Sequence, residues 1–467
     1  MSKVSLDEIV SLAKRRGFVY PGSEIYGGLA GTFDYGPLGV MLKHNVQNLW
    51  WNSFVLGWDD MYPMDSAILM NQKVWQASGH ATGFNDPLVE CSNCHSRLRA
   101  DHVYADFLDG ISSQPLADEF LNSEEAKNIK ASKLNNANIK CPVCGKTGTL
   151  GEARQFNMMF KTHVGPLEDE ESVTYLQPET AQSIFVNFKN VVDSFSPDLP
   201  FGMAQIGRGF RNEISPREFL FRAREFGMME IEYFVHPDKW QEAFESWRAG
   251  CLTFFKKLGL PADMVHELEV PEADRAHYSK RTIDFEFDFP FGRRELMGLA
   301  YRGDYDLKHH QEASGKNLEY RPKDGSAPFI PHVIEPSMGV DRLILAVLSS
   351  AYSEDEQGGE KRVYLKFPFD IAPIKVAVCP LAKNKPELVA KAKEVYKMLK
   401  DEYGEVMWID TGNIGKNYRR ADEIGVPYFV TIDFQTLEDD TVTVRHRDTT
   451  EQSREDSKDV STTFNKS

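Results

Sequence analysis

Five arginines crowd one stretch of the chain: Arg208, Arg211, Arg217, Arg222 and Arg224. A guanidinium is a rigid planar fork matched to phosphate oxygens. Several of them around a short loop repel one another unless an anion sits among them, so the chemistry they point to is phosphate binding. Two strand-like runs hold them, one from Phe201 to Phe210 and one opening at Arg224-Glu-Phe226 and ending near Val235. Ser215-Pro-Arg-Glu218 joins the runs, which reads as an antiparallel hairpin with a loop too long for a tight turn. Strict alternation sets Gln205, Arg211 and Glu213 on one face and Ala204, Ile206 and Phe210 on the other. The plainer reading, an amphipathic hairpin with one solvated face, leaves the arginines unexplained.

A second chemistry sits in Cys91-Ser-Asn-Cys94 and Cys141-Pro-Val-Cys144, two Cys-x-x-Cys knuckles that use four of the six cysteines. Each knuckle offers two thiolates to one tetrahedral Zn²⁺, and four thiolates close a structural site with no open position. A disulfide pairing fits a cytosolic chain poorly. His95 and His102 lie nearby and read as bystanders to the metal. The polar, helix-prone segment 112–138 between the knuckles reads as an insertion stapled at its base.

These groups sit in a chain of 467 residues, 41% apolar and 27% charged, with a net charge of −16. That length holds two or three domains with their own cores. No apolar run reaches the length of a membrane span, and Met1-Ser-Lys-Val-Ser lacks a secretory core, so a cytoplasmic protein is expected. The negative charge argues against indiscriminate nucleic-acid binding, but leaves room for a local basic track on an acidic body.

Helical spacing is expected over 7–16 and 40–58, the second strongly aromatic and preceded by a glycine-rich run, Tyr26 to Gly39. Gln177-Pro-Glu-Thr180 lies between a strand and a helix, where Thr180 could cap and Glu179 could sit in an exposed first turn. Residues 282–289 alternate apolar and acidic, a half-buried strand whose acids read as solvated. Val333 to Leu348 reads as a strand running into an apolar helix. Ser353 to Glu360 reads as an acidic linker. Beyond it, short apolar strands alternate with helices, which implies a mainly parallel sheet. Residues 453–467 are polar and nearly without apolar anchors, consistent with a disordered tail.

The stretch around Arg211-Asn-Glu213 resembles motif 2 of the class II aminoacyl-tRNA synthetases. Asp34-Tyr-Gly-Pro-Leu-Gly39 is similar to the segment at their dimer-forming motif 1, and Met338-Gly-Val-Asp-Arg-Leu343 to motif 3. Gln177-Pro-Glu-Thr-Ala-Gln182 and Glu335-Pro-Ser337 resemble the homodimeric glycyl type of subclass IIa. The implied fold is α+β: the class II antiparallel sheet flanked by helices, a zinc-stapled insertion and a C-terminal α/β anticodon-binding domain. The implied boundaries are 1–84 for the first part of the catalytic core, 85–155 for the insertion, 156–352 for the rest of the core, 353–370 for a linker and 371–467 for the anticodon domain with its polar tail.

The resemblance implies glycine activation with ATP and transfer to a tRNA for glycine, with Mg²⁺ on the phosphates and a homodimer as the working form. It implies catalytic roles for Arg211, Glu213 and Arg342. It also implies an ATP site of Arg211, Asn212, Glu213, Phe226, Glu295 and Arg342, adenine lying between Phe226 and Arg342. Glu179, Arg302, Glu335 and Ser337 would meet glycine, Arg302 through the carboxylate, and Glu295 would ligate Mg²⁺. Strict alternation places Glu295 and Arg302 on opposite faces, so a bulge at Gly298 or one wrong assignment follows. For tRNA, the basic candidates are Arg217 at the acceptor end and Lys416, Arg419, Arg420, Arg445 and Arg447 at the anticodon. The rival readings are another class IIa synthetase and a non-catalytic nucleic-acid-binding subunit on the same fold, which should have lost Arg211 and Arg342.

Overall fold

The computed structural model describes residues 4–111, 116–121, 123–276 and 278–464. The sequence-based expectations for 1–3, 112–115, 122 and 465–467 lie outside the described residues. Seven strands form the central sheet: β1 (Met61–Pro63), β2 (Phe201–Phe210), β3 (Glu225–Val235), β4 (Val265–Glu269), β5 (Arg281–Phe289), β6 (Gly292–Gly303) and β7 (His332–Gly339). Their order is β4-β5-β6-β7-β3-β2-β1, antiparallel throughout except where β1 runs parallel to β2.

Alternation divides the sheet into two faces with different tasks. On one, Ile231, Tyr233, Ile283, Phe285, Phe287, Leu299 and Met338 join the main core with helices Val340–Ala351 and Trp240–Lys257. Burying each such side chain contributes about 1.5–3 kcal/mol. The other face is apolar only at one end, where Phe201, Met203, Phe234 and Val333 meet Phe185 and Phe188. Along the rest of it, Met228, Glu230, Gly298, Ala300, Glu335 and Ser337 line a cavity of about 290 Å³.

The first helix, Leu6–Arg16, is fixed by a capping box between Ser5 and Glu8 and stopped by Gly17 at φ +75°. The aromatic helix is Pro37–Phe54, shorter than its sequence pattern, and buries Leu42, Val46, Trp50 and Phe54. The helix expected from Ala181 is broken into Ala181–Phe185 and Phe188–Phe195. Within the insertion, Asn85–Glu90 pairs with Arg97–Arg99 and Arg154–Asn157, and helix Ala100–Ile111 packs above them.

Two expectations about loose chain are overturned. The acidic segment expected as a linker forms a hairpin, Tyr352–Gln357 against Glu360–Leu365. Gly358 and Gly359 at its turn both have positive φ, the backbone that two-residue hairpin turns demand. The polar tail begins as a strand. The C-terminal sheet comprises β8 (Val376–Pro380), β9 (Val406–Trp408), β10 (Tyr428–Ile432), β11 (Thr441–His446) and β12 (Gln452–Asp456), in the order β9-β8-β10-β11-β12. Its first three strands are parallel and the last two antiparallel. As an edge strand β12 needs no apolar anchors, and charge there discourages further pairing. Among the described residues, no helix is long and apolar enough to cross a membrane.

Candidate active site

At its closed end the cavity is ringed by carboxylates. Glu230 on β3 accepts from the Thr180 backbone N–H and hydroxyl and from Ser337 Oγ at 2.7 Å. Thr180 therefore spends its hydroxyl on Glu230, and makes no capping bond to the helix it precedes. Glu179 is half-buried, not in an exposed first turn, with His80 Nε2 at 3.3 Å and Gln182 Nε2 at 3.1 Å. Burial would raise its carboxyl, but the charge and hydrogen bond of His80, helped by Arg302, hold it below the usual carboxylate range. Burial pushes Glu335 up to about 8, against the pull of Arg302. Glu232, two residues along β3, is 0% exposed, and its carboxyl oxygens have no hydrogen-bond partner. Oxygens of Glu230, Glu232 and Glu335 lie within 4.8 Å of one another.

The alternation problem on β6 is resolved by a bulge, but not at Gly298. Glu286 pairs with Glu295 and Phe285 with Met297, so Leu296 is the extra residue. That slip puts Glu295 on the side of Gly298 and Ala300, and Arg302, at a second irregularity between Tyr301 and Gly303, reaches Glu335 on the same side. Arg302 does not, however, stand ready for a substrate carboxylate. It is 1% exposed, forked onto Asp306 at 2.8 Å through Nε and Nη2, and bound through Nη1 to Glu335 at 2.7 Å. The reading of Arg302 as glycine's partner is corrected accordingly: the protein's own carboxylates hold it.

Further along, Arg211 lines the cavity between the rings of Phe84 and Phe226, 5.3 and 5.4 Å from their centroids, and donates to the Pro178 carbonyl at 3.1 Å. It lies just beyond β2, where its N–H bonds to the Arg224 carbonyl. Asn212 follows, its N–H on the Met158 carbonyl. Glu213 departs from the expected face. Its carboxyl is buried 3.9 Å from Arg222 and does not line the cavity, because the chain turns at Arg211.

At the open end, Arg342 lies over the Phe221 ring at 4.5 Å and pairs with Glu295 at 3.1 Å. Its direct aromatic contact is thus Phe221, while Phe226 faces Arg211. Asp284, expected from the sequence to be merely solvated, lines the cavity with Glu295. Burial, and the nearby charges of Glu295 and Glu286, push its carboxyl up to about 7. Asp341, beside Arg342, accepts from Tyr35 Oη and the Gly227 N–H, each at 2.5 Å, and so ties the three motif segments together.

Two domain models match the chain: the tRNA synthetase class II core domain (G, H, P, S and T) over residues 160–351, and the anticodon binding domain over 375–466. A glycine–tRNA ligase of Clostridium acetobutylicum is 48% identical over 453 residues, 96% of this chain and 96% of its own. Another, of Caldanaerobacter subterraneus subsp. tengcongensis, is 47% identical over 454 residues, 97% of this chain and 96% of its own. The chain belongs to the glycine–tRNA ligase family. A solved Giardia lamblia prolyl-tRNA synthetase in complex with prolyl-adenylate shares the fold, with a TM-score of 0.65 at 15% identity, covering 98% of this chain and 76% of that one.

The four knuckle cysteines converge. Cys91 Sγ is 3.7 Å from Cys144 Sγ, and Cys94 Sγ is 3.7 Å from Cys141 Sγ. Four thiolates about 2.3 Å from one Zn²⁺ stand about 3.8 Å apart, so the cluster fits the metal. All four are free of disulfides.

The C-terminal cations divide into two groups. Lys416, Arg419 and Arg420 are exposed on helix Ile414–Glu423. Arg445 and Arg447 are only 6% and 3% exposed and cannot reach an anticodon. Arg445 forks onto Asp422, and Arg447 donates to the Gly425 and Phe367 carbonyls. Their assignment to tRNA is corrected to a structural one. Sequence reasoning also missed His80 and Glu232. Nothing around His80 marks it, whereas Glu230-Ile-Glu232 inside an otherwise apolar strand was a readable signal.

Proposed function

We propose that this chain activates glycine and attaches it to its tRNA in two half-reactions at this one cavity. The glycine carboxylate attacks the α-phosphorus of ATP, releasing pyrophosphate, and the terminal tRNA adenosine hydroxyl then takes the glycyl group from the adenylate. Neither step needs a protein nucleophile; positioning and neutralisation of phosphoryl charge supply the catalysis. The observation that carries this reading is the run of groups along one cavity: Glu179, Glu230, Glu335 and Ser337 at one end, and Arg211, Asp284 and Glu295 beyond them, Glu295 paired with Arg342.

Glu179, Glu230 and Glu335 would take the ammonium of glycine, with Ser337 orienting Glu230. Arg302 acts as a positioning residue, fixing Glu335. Arg211 would grip the α-phosphate, and Phe226 and Arg342 would hold adenine from its two sides. Asn212 would support that site, and Glu213, turned toward Arg222, would not touch ATP. A Cβ at Gly298 would stand 3.8 Å from Asp284 Oδ1 on the cavity wall, and every competitor of glycine is larger, so overlap with packed groups gives selectivity.

Glu295 and Asp284 offer the hard oxygen donors that suit Mg²⁺, which when bound neutralises charge on the phosphates. Zn²⁺ at the four cysteines would be structural. Ile25, Tyr26 and Leu29, exposed just before motif 1, support a homodimer. We place the protein in the cytoplasm, where tRNA charging serves translation. Pyrophosphate exchange into ATP, screened over all twenty amino acids, tests the reading: glycine alone should support it, and exchange with another amino acid or none would overturn it.

A further inference from the structure

His102 lies in helix Ala100–Ile111 of the insertion, eight residues after the first knuckle, and has no place in the zinc cluster. It reaches instead across to the loop between β2 and β3. His102 Nδ1 is 2.7 Å from Arg217 Nη2, and Nε2 is 3.4 Å from Arg222 Nη1. A neutral imidazole accepts through one nitrogen only, and the shorter contact assigns that role to Nδ1, toward Arg217. Burial and the guanidinium groups of Arg99, Arg222, Arg217 and Arg294 push the ring down to about 2, so it is a neutral acceptor throughout the working range.

The surroundings make this contact more than packing. Arg217 has Glu218 only at 3.8 Å, and Arg222 has Glu213 only at 3.9 Å, so neither acid neutralises its arginine closely. Arg99 is satisfied separately by Asp86 and Asp101. The loop backbone is constrained at the same place: Glu218 and Phe219 have φ of +60° and +56°, a conformation non-glycine residues hold only when their surroundings impose it. Left alone, two such guanidinium groups on one loop would swing apart. An acceptor without charge holds one of them while leaving the local positive potential intact.

We propose that His102 is a positioning residue through which the zinc-stapled insertion sets Arg217 to receive the phosphate of an anionic substrate. The inference rests on the synthetase reading above and deepens it. The phosphate chemistry has two sources there, the triphosphate of ATP and the acceptor end of tRNA. It also gives the insertion a part in the chemistry: the cysteine cluster anchors the helix that carries the acceptor.

The test uses the full-length protein and separates the sources. Glycine-dependent pyrophosphate exchange reads KM for ATP and for glycine, and tRNA charging reads KM for tRNA. His102→Ala should raise KM for either ATP or tRNA about tenfold, the effect of losing one hydrogen bond to a charged group. KM for glycine should stay within twofold. A rise for ATP places the triphosphate at Arg217; a rise for tRNA alone places the acceptor end there. His102→Gln, whose amide oxygen can accept from Arg217, should restore most of the loss, and His102→Lys, a cation among guanidiniums, should not. Arg217→Ala approaches the same pair from the other side, and adding His102→Ala to it should cost little more.

Unchanged KM for both ATP and tRNA in His102→Ala would overturn the proposal. So would a His102→Gln as impaired as His102→Ala with an unaltered Tm, or full additivity with Arg217→Ala. If the unaltered protein showed no glycine-dependent exchange, the synthetase reading itself would fall, a result distinct from all of these.

Discussion

In the loop between β2 and β3, Arg217 and Arg222 face each other across an imidazole, with their nearest acids almost 4 Å away. In the C-terminal domain, Arg362 and Arg445 converge on one buried carboxylate, Asp422, through hydrogen bonds of 2.8–2.9 Å. Arg362 also donates to the Arg447 carbonyl at 2.8 Å. Both regions are clusters of arginine within a chain of net charge −16. The difference lies in satisfaction. A guanidinium whose donors are saturated by protein is a structural element; one whose donors no close acid takes up is free to bind phosphate. Composition and spacing count charges, and cannot count the acceptors that the fold brings to them.

The sharpest break of this comparison is Arg211→Ala. Arg211 donates to one carbonyl, and stands between two rings at the cavity wall. Loss of a preorganised donor to transition-state charge costs about 10²–10³ in rate. Pyrophosphate exchange should fall by at least that factor, with Tm shifted by no more than a few degrees. Near-normal exchange in the variant would show that this arginine, too, is structural.

Asp422→Asn attacks the saturated side. It leaves Arg445 buried without its carboxylate and Arg362 with Asp355 alone, a defect expected to cost about 3 kcal/mol. The loss should appear in denaturant unfolding of the C-terminal domain and in tRNA charging, while glycine-dependent exchange persists. Equal loss of exchange would mean that the two domains do not separate energetically. Arg362 comes from the hairpin of 352–365, so the same variant tests whether that segment is fastened to the domain after it.

What was legible in the sequence follows the same line. Periodicity located β2, β3, β5 and helix Val340–Ala351, because one face of each is buried in the main core and must be apolar. The motif segments around Arg211, Arg342 and Glu335 do come together along one sheet face. Bulges escaped: counting by twos from Glu295 to Arg302 assumes an unbroken ladder, and Leu296 breaks it. Arg445 and Arg447 escaped because an arginine reads as exposed until its acceptors, Asp422 and the Gly425 and Phe367 carbonyls, are known to be adjacent. β12 escaped because Gln-Ser-Arg-Glu-Asp at a sheet edge carries no apolar pattern. His102 could be cleared of zinc ligation from spacing, but its reach to Arg217 crosses 115 residues of sequence.

A smaller effect sharpens the contrast between two aspartates. Asp422 has its arginines; Asp284 faces Glu295 and Glu286, and its carboxyl is pushed up to about 7 by burial and their charge. The folded state therefore holds a proton that the unfolded chain releases near pH 4. Stability from this group is fully present below about pH 4 and is lost as pH rises through about 7. Asp284→Asn removes the titration. Its Tm advantage over the unaltered protein should be near zero at pH 4, grow between pH 4 and 7, and level off above, worth on the order of 4 kcal/mol. The variant should lose synthetase activity as it gains stability. A Tm difference independent of pH would exclude the shifted carboxyl as its origin.

The smallest effects belong to the exposed cations of helix Ile414–Glu423. Arg419 pairs with Glu360, but both are largely exposed, so that pair contributes little to folding and leaves Arg419 available. Lys416 and Arg420 share its exposure. Anticodon bases are splayed and single-stranded, so an exposed cationic helix can meet the phosphates beside them. Replacing Lys416, Arg419 and Arg420 together by alanine should leave Tm and pyrophosphate exchange unchanged and raise KM for tRNA. It should also flatten the dependence of tRNA affinity on salt by about one unit of slope for each phosphate no longer neutralised. Arg445→Ala is the matched control, expected to lower Tm through its buried bond to Asp422. If the triple variant kept the full salt slope while Arg445→Ala flattened it with Tm intact, the division between binding and structural arginines in this domain would be reversed.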